Sequence, residues 1–172
     1  MAEIDVAAPR SARKVWLERA FTVGAGAFLV WMLFTQLYVP TPSGPRPFQW
    51  VPYEVALDRA EAENKLVMID FFAEWCGPCK KMDAVTFHDA RVAESIDAAY
   101  VPVQVDCESG RKGPGGLSGV ELADRYDIKS YPTIVIARAD GTVVERMSGY
   151  RGPGSYRRKL DKIAKKHGVG AQ

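Results

Sequence analysis

The chain has 172 residues, with 23 Lys and Arg against 21 Asp and Glu and a formal net charge of +2. That is room for one domain of ordinary size plus an appendage, and too little positive charge to draw the chain to nucleic acid. Three cysteines, Cys76, Cys79 and Cys107, are too few for a disulfide-stapled scaffold, and with His88 and His167 far apart they make a poor four-ligand zinc set, so no metal and no cofactor is expected.

Residues 1–20 hold Arg10, Arg13, Lys14 and Arg19, and residues 21–39 (FTVGAGAFLVWMLFTQLYV) carry no charge. A helix needs about 20 apolar residues to cross the hydrocarbon core, so this run predicts a transmembrane anchor. A cleaved signal peptide is the alternative; against it, the run is longer than a usual signal core and no A-x-A site follows. Beyond the run only Arg46 precedes Arg59. The positive flank belongs inside, which predicts a cytoplasmic N-terminus and residues 50–172 as a domain in the periplasm, or its equivalent, outside the inner membrane. Residues 40–49 include Pro40, Pro42, Pro45 and Pro47 and predict an extended spacer reaching roughly 25 Å.

Within the domain, residues 54–64 (EVALDRAEAEN) predict a helix, and 66–72 (LVMIDFF) a strand buried on both faces. WCGPCK follows at once, and a helix is expected to continue through 81–87 and break near 86–89. Asp89 then caps a second start, ARVAESIDAA. Residues 100–105 (YVPVQV) alternate as a strand, the Gly-rich stretch 108–119 predicts a loop, and 117–126 a short helix. Residues 133–138 and 142–147 predict strands joined through Asp140-Gly141, a hairpin signal. Residues 153–167 close the chain as a helix, with Tyr156, Leu160, Ile163 and Ala164 on one face. Early alternation predicts parallel strands and the late hairpin antiparallel ones: an α/β fold with a mixed central sheet flanked by helices.

A Cys-x-x-Cys pair directly after a buried strand and opening a helix points to thiol chemistry. Thiolates attack disulfides, and Cys76 falls where free N–H groups and the helix dipole favour an anion. Pro78 suits the first turn because its missing N–H would go unpaired there. Gly77 leaves room for a partner sulfur. Cys76 is expected to attack a substrate disulfide, and Cys79, one turn on and expected to be the less exposed, to resolve the mixed disulfide into a Cys76–Cys79 bridge. Cys107, at a strand end, reads as an inert buried thiol.

VMIDFFAEWCGPCKKM resembles the active-site segment of thioredoxins. Ser130-Tyr131-Pro132-Thr133 resembles the family's second signature, and Gly149 its glycine after the last strand. The stretch AVTFHDARVAESIDAAYVPVQVD is similar to the C-terminal domain of DsbD-type transmembrane reductases. The resemblance implies the thioredoxin fold and a thiol:disulfide oxidoreductase. It implies that Pro132 is a cis-proline facing the pair, with Tyr131, Thr133 and Gly149 beside it at the substrate strand. It implies that Asp70 is a buried carboxylate that accepts the Cys79 proton, and that Trp75 shields the sulfurs and joins the docking surface. Two departures stand out. Pro102 falls about where relatives often carry a lysine near Asp70, and Ala84 occupies the site of a helix-kinking proline. Gly-Pro between the cysteines resembles reducing members of the family. A reductase of protein disulfides outside the cytoplasm then implies a transmembrane electron donor of DsbD type, with apocytochrome c or other periplasmic thiols as targets. An oxidase or isomerase, or a non-catalytic assembly module, is the alternative.

Overall fold

The computed structural model describes residues 10–37 and 45–170, and the chain divides into two compact units, residues 1–38 and 39–172. The first holds helix α1 (Arg10–Leu37). Its apolar side chains are exposed, among them Phe21, Val30, Trp31 and Phe34. Among the described residues no helix is long and apolar enough to cross a membrane. The charge-free run continues through Tyr38 and Val39, which, with residues 40–44 of the expected spacer, lie outside the described residues.

In the second unit four strands form one sheet: β1 (Leu66–Phe72), β2 (Tyr100–Asp106), β3 (Thr133–Ala137) and β4 (Val143–Ser148). Their order is β2-β1-β3-β4. β1 pairs parallel with β2 and antiparallel with β3, and β3 pairs antiparallel with β4. The hairpin turns at Gly141, whose φ of 84° suits glycine. Between and around the strands run α2 (Tyr53–Ala62), α3 (Gly77–Lys81), a π-helical turn (Met82–Thr86), α4 (Ala90–Ala99), α5 (Gly119–Arg125) and α6 (Pro153–His167).

β1 is apolar apart from Asp70 because both its faces are covered. Val67, Ile69 and Phe71 pack with Val103 and Val135 against α2 and α5. Leu66 and Met68 face the other way, onto Met82, Phe87, α4 and α6. Asp70 has the parity of Met68 and so lies on the sheet face that carries the π-helical turn. Pro102 is tolerated in β2 because this is an edge strand; its carbonyl accepts the N–H of Val51 at 3.0 Å.

Caps set the boundaries. The Asp89 carboxylate accepts the N–H groups of Arg91 and Val92 at 3.0 and 3.3 Å and starts α4. Ser118 and Glu121 form a reciprocal box at α5, and Gly168, at φ 65°, ends α6. Gly119 is fixed by space: a Cβ there would stand 1.8 Å from the carbonyl oxygen of Asp106.

Two expectations change. The helix after the cysteines does not run on as one α-helix: after Lys81 it widens, and the N–H of Phe87 bonds the carbonyl of Met82 at 3.1 Å, an i to i−5 contact. The wider turn accompanies burial of Phe87 and lets the Thr86 hydroxyl donate to the Arg151 carbonyl at 2.6 Å. The spacer expected at 40–49 is not all spacer. Phe48 is buried in the core, and Arg46 pairs with Asp83 at 2.5 Å.

Phe87 meets Phe48, Trp50 and Tyr156 edge to face, with centroids 6.1, 5.1 and 5.9 Å apart. Phe87→Ala is therefore expected to cost about 3–5 kcal/mol. Urea unfolding checks this: the midpoint should fall with an unchanged slope.

Candidate active site

β1 delivers the chain to Ala73, whose carbonyl accepts the Cys76 N–H at 3.0 Å. Cys76 is the N-cap of α3, with extended backbone, and its sulfur accepts the N–H of Cys79 at 3.2 Å. Pro78 sits in the first turn. The Cys76 carbonyl takes the N–H groups of Cys79 and Lys80, both at 3.1 Å. The two cysteines are disulfide-bonded, with Cα atoms 5.3 Å apart. Cys79 is not the less exposed: Cys76 is 3% and Cys79 7% exposed. The pair lies against Ala73 with Phe72 and Tyr131 packed around it, so Cys76 is covered from the strand side as fully as Cys79 is by its own turn. Gly77 is exposed, and a Cβ there would meet nothing within 4 Å.

Across from the pair the Tyr131–Pro132 peptide bond is cis. Gly149, at φ 79°, donates its N–H to the Pro132 carbonyl at 2.8 Å. Thr133 is buried, and its hydroxyl donates to the Ser130 carbonyl at 2.8 Å and contacts the Ser148 hydroxyl at 3.1 Å. Tyr131 also meets Trp75, ring centroids 6.0 Å apart. Trp75 is 67% exposed, and its indole N–H donates to the Glu108 carboxylate at 2.7 Å. The sulfurs, Trp75, Tyr131, Pro132, Thr133 and Gly149 thus form one neighbourhood with an exposed aromatic rim. Glu108 was not singled out from sequence, because a charge in a Gly-rich loop carries no spacing signal.

Asp70 is 4% exposed. The neighbouring strand answers it, though not at Pro102, which lies opposite Met68; Gln104 lies opposite Asp70, and its amide donates to the carboxylate at 3.1 Å. Burial pushes Asp70 up to about 7; the Gln104 bond pulls down, the Asp83 charge pushes up, and the Arg46 charge pulls down. A neutral amide satisfies the carboxylate without supplying a counter-charge, so Asp70 is poised to take or give a proton near neutrality. Cys107 is buried and pushed up to about 12, first by burial, so it stays a thiol at neutral pH. Among the described residues no group of three or more His, Cys, Asp or Glu is arranged to hold a metal ion.

In the reduced protein the N–H of Cys79 would face a Cys76 thiolate, and Asp70, pushed up to about 7, is the expected base for the thiol that must lose its proton next. Asp70→Asn keeps the shape and removes that base. The rate of disulfide reduction at pH 8 is expected to fall by about 10²-fold, losing its rise through pH 7. Stability moves the opposite way. Asp70 keeps its proton in the folded state up to about pH 7, whereas the unfolded chain releases it near 3.8. Wild-type stability therefore declines between those values, by on the order of 4 kcal/mol in all, and is flat above them. Asp70→Asn removes the decline and is the more stable protein at pH 8, as denaturant titration at several pH values will read.

Residues 53–164 match the family model of the thioredoxin-like domain. The thioredoxin of Chlamydia trachomatis serovar D is 36% identical over 102 residues, which are 59% of this chain and 82% of that protein. The thiol:disulfide interchange protein DsbD of Vibrio cholerae is 32% identical over 97 residues, 55% of this chain but only 15% of that longer protein. Among solved structures, a thioredoxin from Thermus thermophilus superposes with a TM-score of 0.59 at 30% identity, over 70% of this chain and 90% of the other. The chain belongs to the thioredoxin-like family, and its Cys76–Cys79 pair makes it a thiol:disulfide oxidoreductase.

Proposed function

We propose that the protein is a membrane-anchored reductase of protein disulfides that works outside the cytoplasm. The observation that carries the direction is Asp70, buried on the sheet face beneath the π-helical turn, its carboxylate hydrogen-bonded, among the described residues, by the neutral amide of Gln104. An anion there disfavours a second anion on the neighbouring sulfurs, so the dithiol gives up electrons more readily and the disulfide is the preferred end state. The exchange balances in two steps. The Cys76 thiolate attacks one sulfur of a substrate disulfide, forms a mixed disulfide and expels the other as thiolate. Cys79 gives its proton to Asp70, attacks Cys76, closes the intramolecular bridge and expels the second substrate sulfur. The substrate is reduced by two electrons and the protein is oxidised by two. The exposed indole of Trp75, with Tyr131 and the extended backbone at Pro132, suits an unfolded or extended polypeptide lying across the pair.

Anchoring rests on the charge-free residues 21–39 and the basic residues before them. The exposed apolar side chains of α1 from Phe21 to Phe34 favour it, since such a run calls for an apolar surround. A domain held beyond the inner membrane needs its electrons brought across that membrane, and the similarity to part of a DsbD supports a donor of that type.

Three measurements test this reading. Equilibration of the Cys76–Cys79 pair with glutathione is expected to give a potential well below about −200 mV, and a value above that makes the protein an oxidant. A Cys79→Ala chain is expected to accumulate mixed disulfides on Cys76 that mass spectrometry identifies; an empty trap in the extracytoplasmic fraction counts against a substrate there. A reporter fused to the C-terminus is expected to be active only outside the cytoplasm.

A further inference from the structure

Arg46 enters the domain from the segment that follows α1 in sequence and stops against the turn below the cysteines. Its guanidinium Nη2 lies 2.5 Å from Asp83 Oδ1, with both side chains about two-thirds covered. The same guanidinium lies over the Trp50 ring at 5.5 Å, and Trp50 is held edge-on by Phe48 and Phe87. Asp83 stands one turn beyond Cys79, on the π-helical turn that covers the Asp70 side of the sheet. The pair is thus built into the wall of the site rather than paired loosely in solvent, where such bridges contribute little.

We propose that Arg46, acting through Asp83, is a positioning residue for the exchange reaction: it neutralises the charge that Asp70 faces and so sets how readily Asp70 takes the proton of Cys79. The role rests on the thiol-exchange reading above. The strand beside Asp70 offers it the neutral Gln104, and the positive charge arrives from outside the sheet, one residue removed. The Asp83 charge raises the proton affinity of Asp70 and the Arg46 charge lowers it. Other groups face the same corner. Gln104 reaches Asp70 from β2, and Cys107 follows β2 as a thiol held protonated by burial and, to a lesser degree, by the Asp70 charge. From α6 the buried Tyr156 hydroxyl donates to Met68 Sδ at 3.0 Å, and its ring system feels the Asp70 charge. The ring of His88 meets the Asp83 carbonyl through Nδ1 at 2.8 Å, and Arg151 accepts from Thr86 through its own carbonyl.

The experiment reads Asp70 itself. In the full-length oxidised chain in detergent micelles, carboxyl 13C NMR follows the Asp70 midpoint with no substrate present. Arg46→Gln is expected to move it upward by roughly 0.5 in pH, Asp83→Asn to move it downward, and Arg46→Lys to restore it. In the reduced chain, resolution of a preformed mixed disulfide at pH 7 should slow about twofold for Arg46→Gln, matching the smaller ionised fraction of Asp70 after that shift, and Arg46→Lys should recover the rate. If Arg46 only staples the segment to the domain, Arg46→Gln lowers the unfolding midpoint and leaves the Asp70 titration where it was; that result overturns the proposal. Should Arg46→Gln fail to fold, an unmoved midpoint in Asp83→Asn overturns it equally. If instead the titrations move as stated but Asp70→Asn reduces disulfides at the wild-type rate, it is the proton-acceptor role of Asp70 that fails, not the coupling to Arg46.

Discussion

The N–H of Cys79 points at the sulfur of Cys76 from 3.2 Å, and most of the domain serves to keep it there. A sulfur at the N-cap of a helix meets the N–H groups of the first turn, and the Cys79 N–H is shared between that sulfur and the Cys76 carbonyl, 3.1 Å away. Holding that geometry needs a fixed point on either side. Upstream it is β1, paired on both edges and packed on both faces, ending in the Ala73 carbonyl that takes the Cys76 N–H. Downstream it is the π-helical turn, locked by buried Met82 and Phe87. The chemistry of the pair is therefore inherited from the rigidity of strand and turn, and the exposed face at Gly77 is left for the incoming sulfur.

On the sheet face under the π-helical turn the electrostatics run the other way. A backbone donor favours the Cys76 thiolate, while a carboxylate at Asp70 opposes any anion near it. The two effects act at different stages. In the proposed exchange the donor serves the first attack, and Asp70, holding a proton affinity near neutrality, serves the second, when Cys79 must be deprotonated. On that proposed reading the surrounding charges, Asp83 and Arg46, belong to the reaction although neither is placed at a sulfur. Cys107 stands outside this scheme: burial keeps its proton in place, and it packs as an apolar side chain among Val103, Val105 and Phe71.

The strands, the hairpin, the Asp89 cap and the Cys-x-x-Cys helix start could be read from the sequence because each rests on local chemistry: apolar runs, Asp-Gly, Asp89 before ARVAESIDAA, and Pro78 after Cys76; the Ser118–Glu121 box was not read there. What could not be read depends on register and distance. That Gln104 and not Pro102 answers Asp70 follows from a two-residue difference in strand pairing, which alternation alone does not fix. The place of Arg46 and Phe48 in the folded unit was hidden by the prolines around them, whose composition spells spacer. The π-helical turn leaves no mark in a window that is equally good as α-helix. Glu108, 33 residues from Trp75, is joined to it only by the fold.

The central claim is that Cys76 carries an anion before it attacks, because the helix start holds it. The most direct test is the absorbance of the thiolate near 240 nm as the fully reduced, full-length chain is titrated. The account predicts a first midpoint between about 6 and 7.5, below the ordinary thiol value near 8.5, with alkylation at pH 7 falling on Cys76 first. Midpoints at or above about 8.5 for both thiols, or alkylation of Cys79 ahead of Cys76, contradict it.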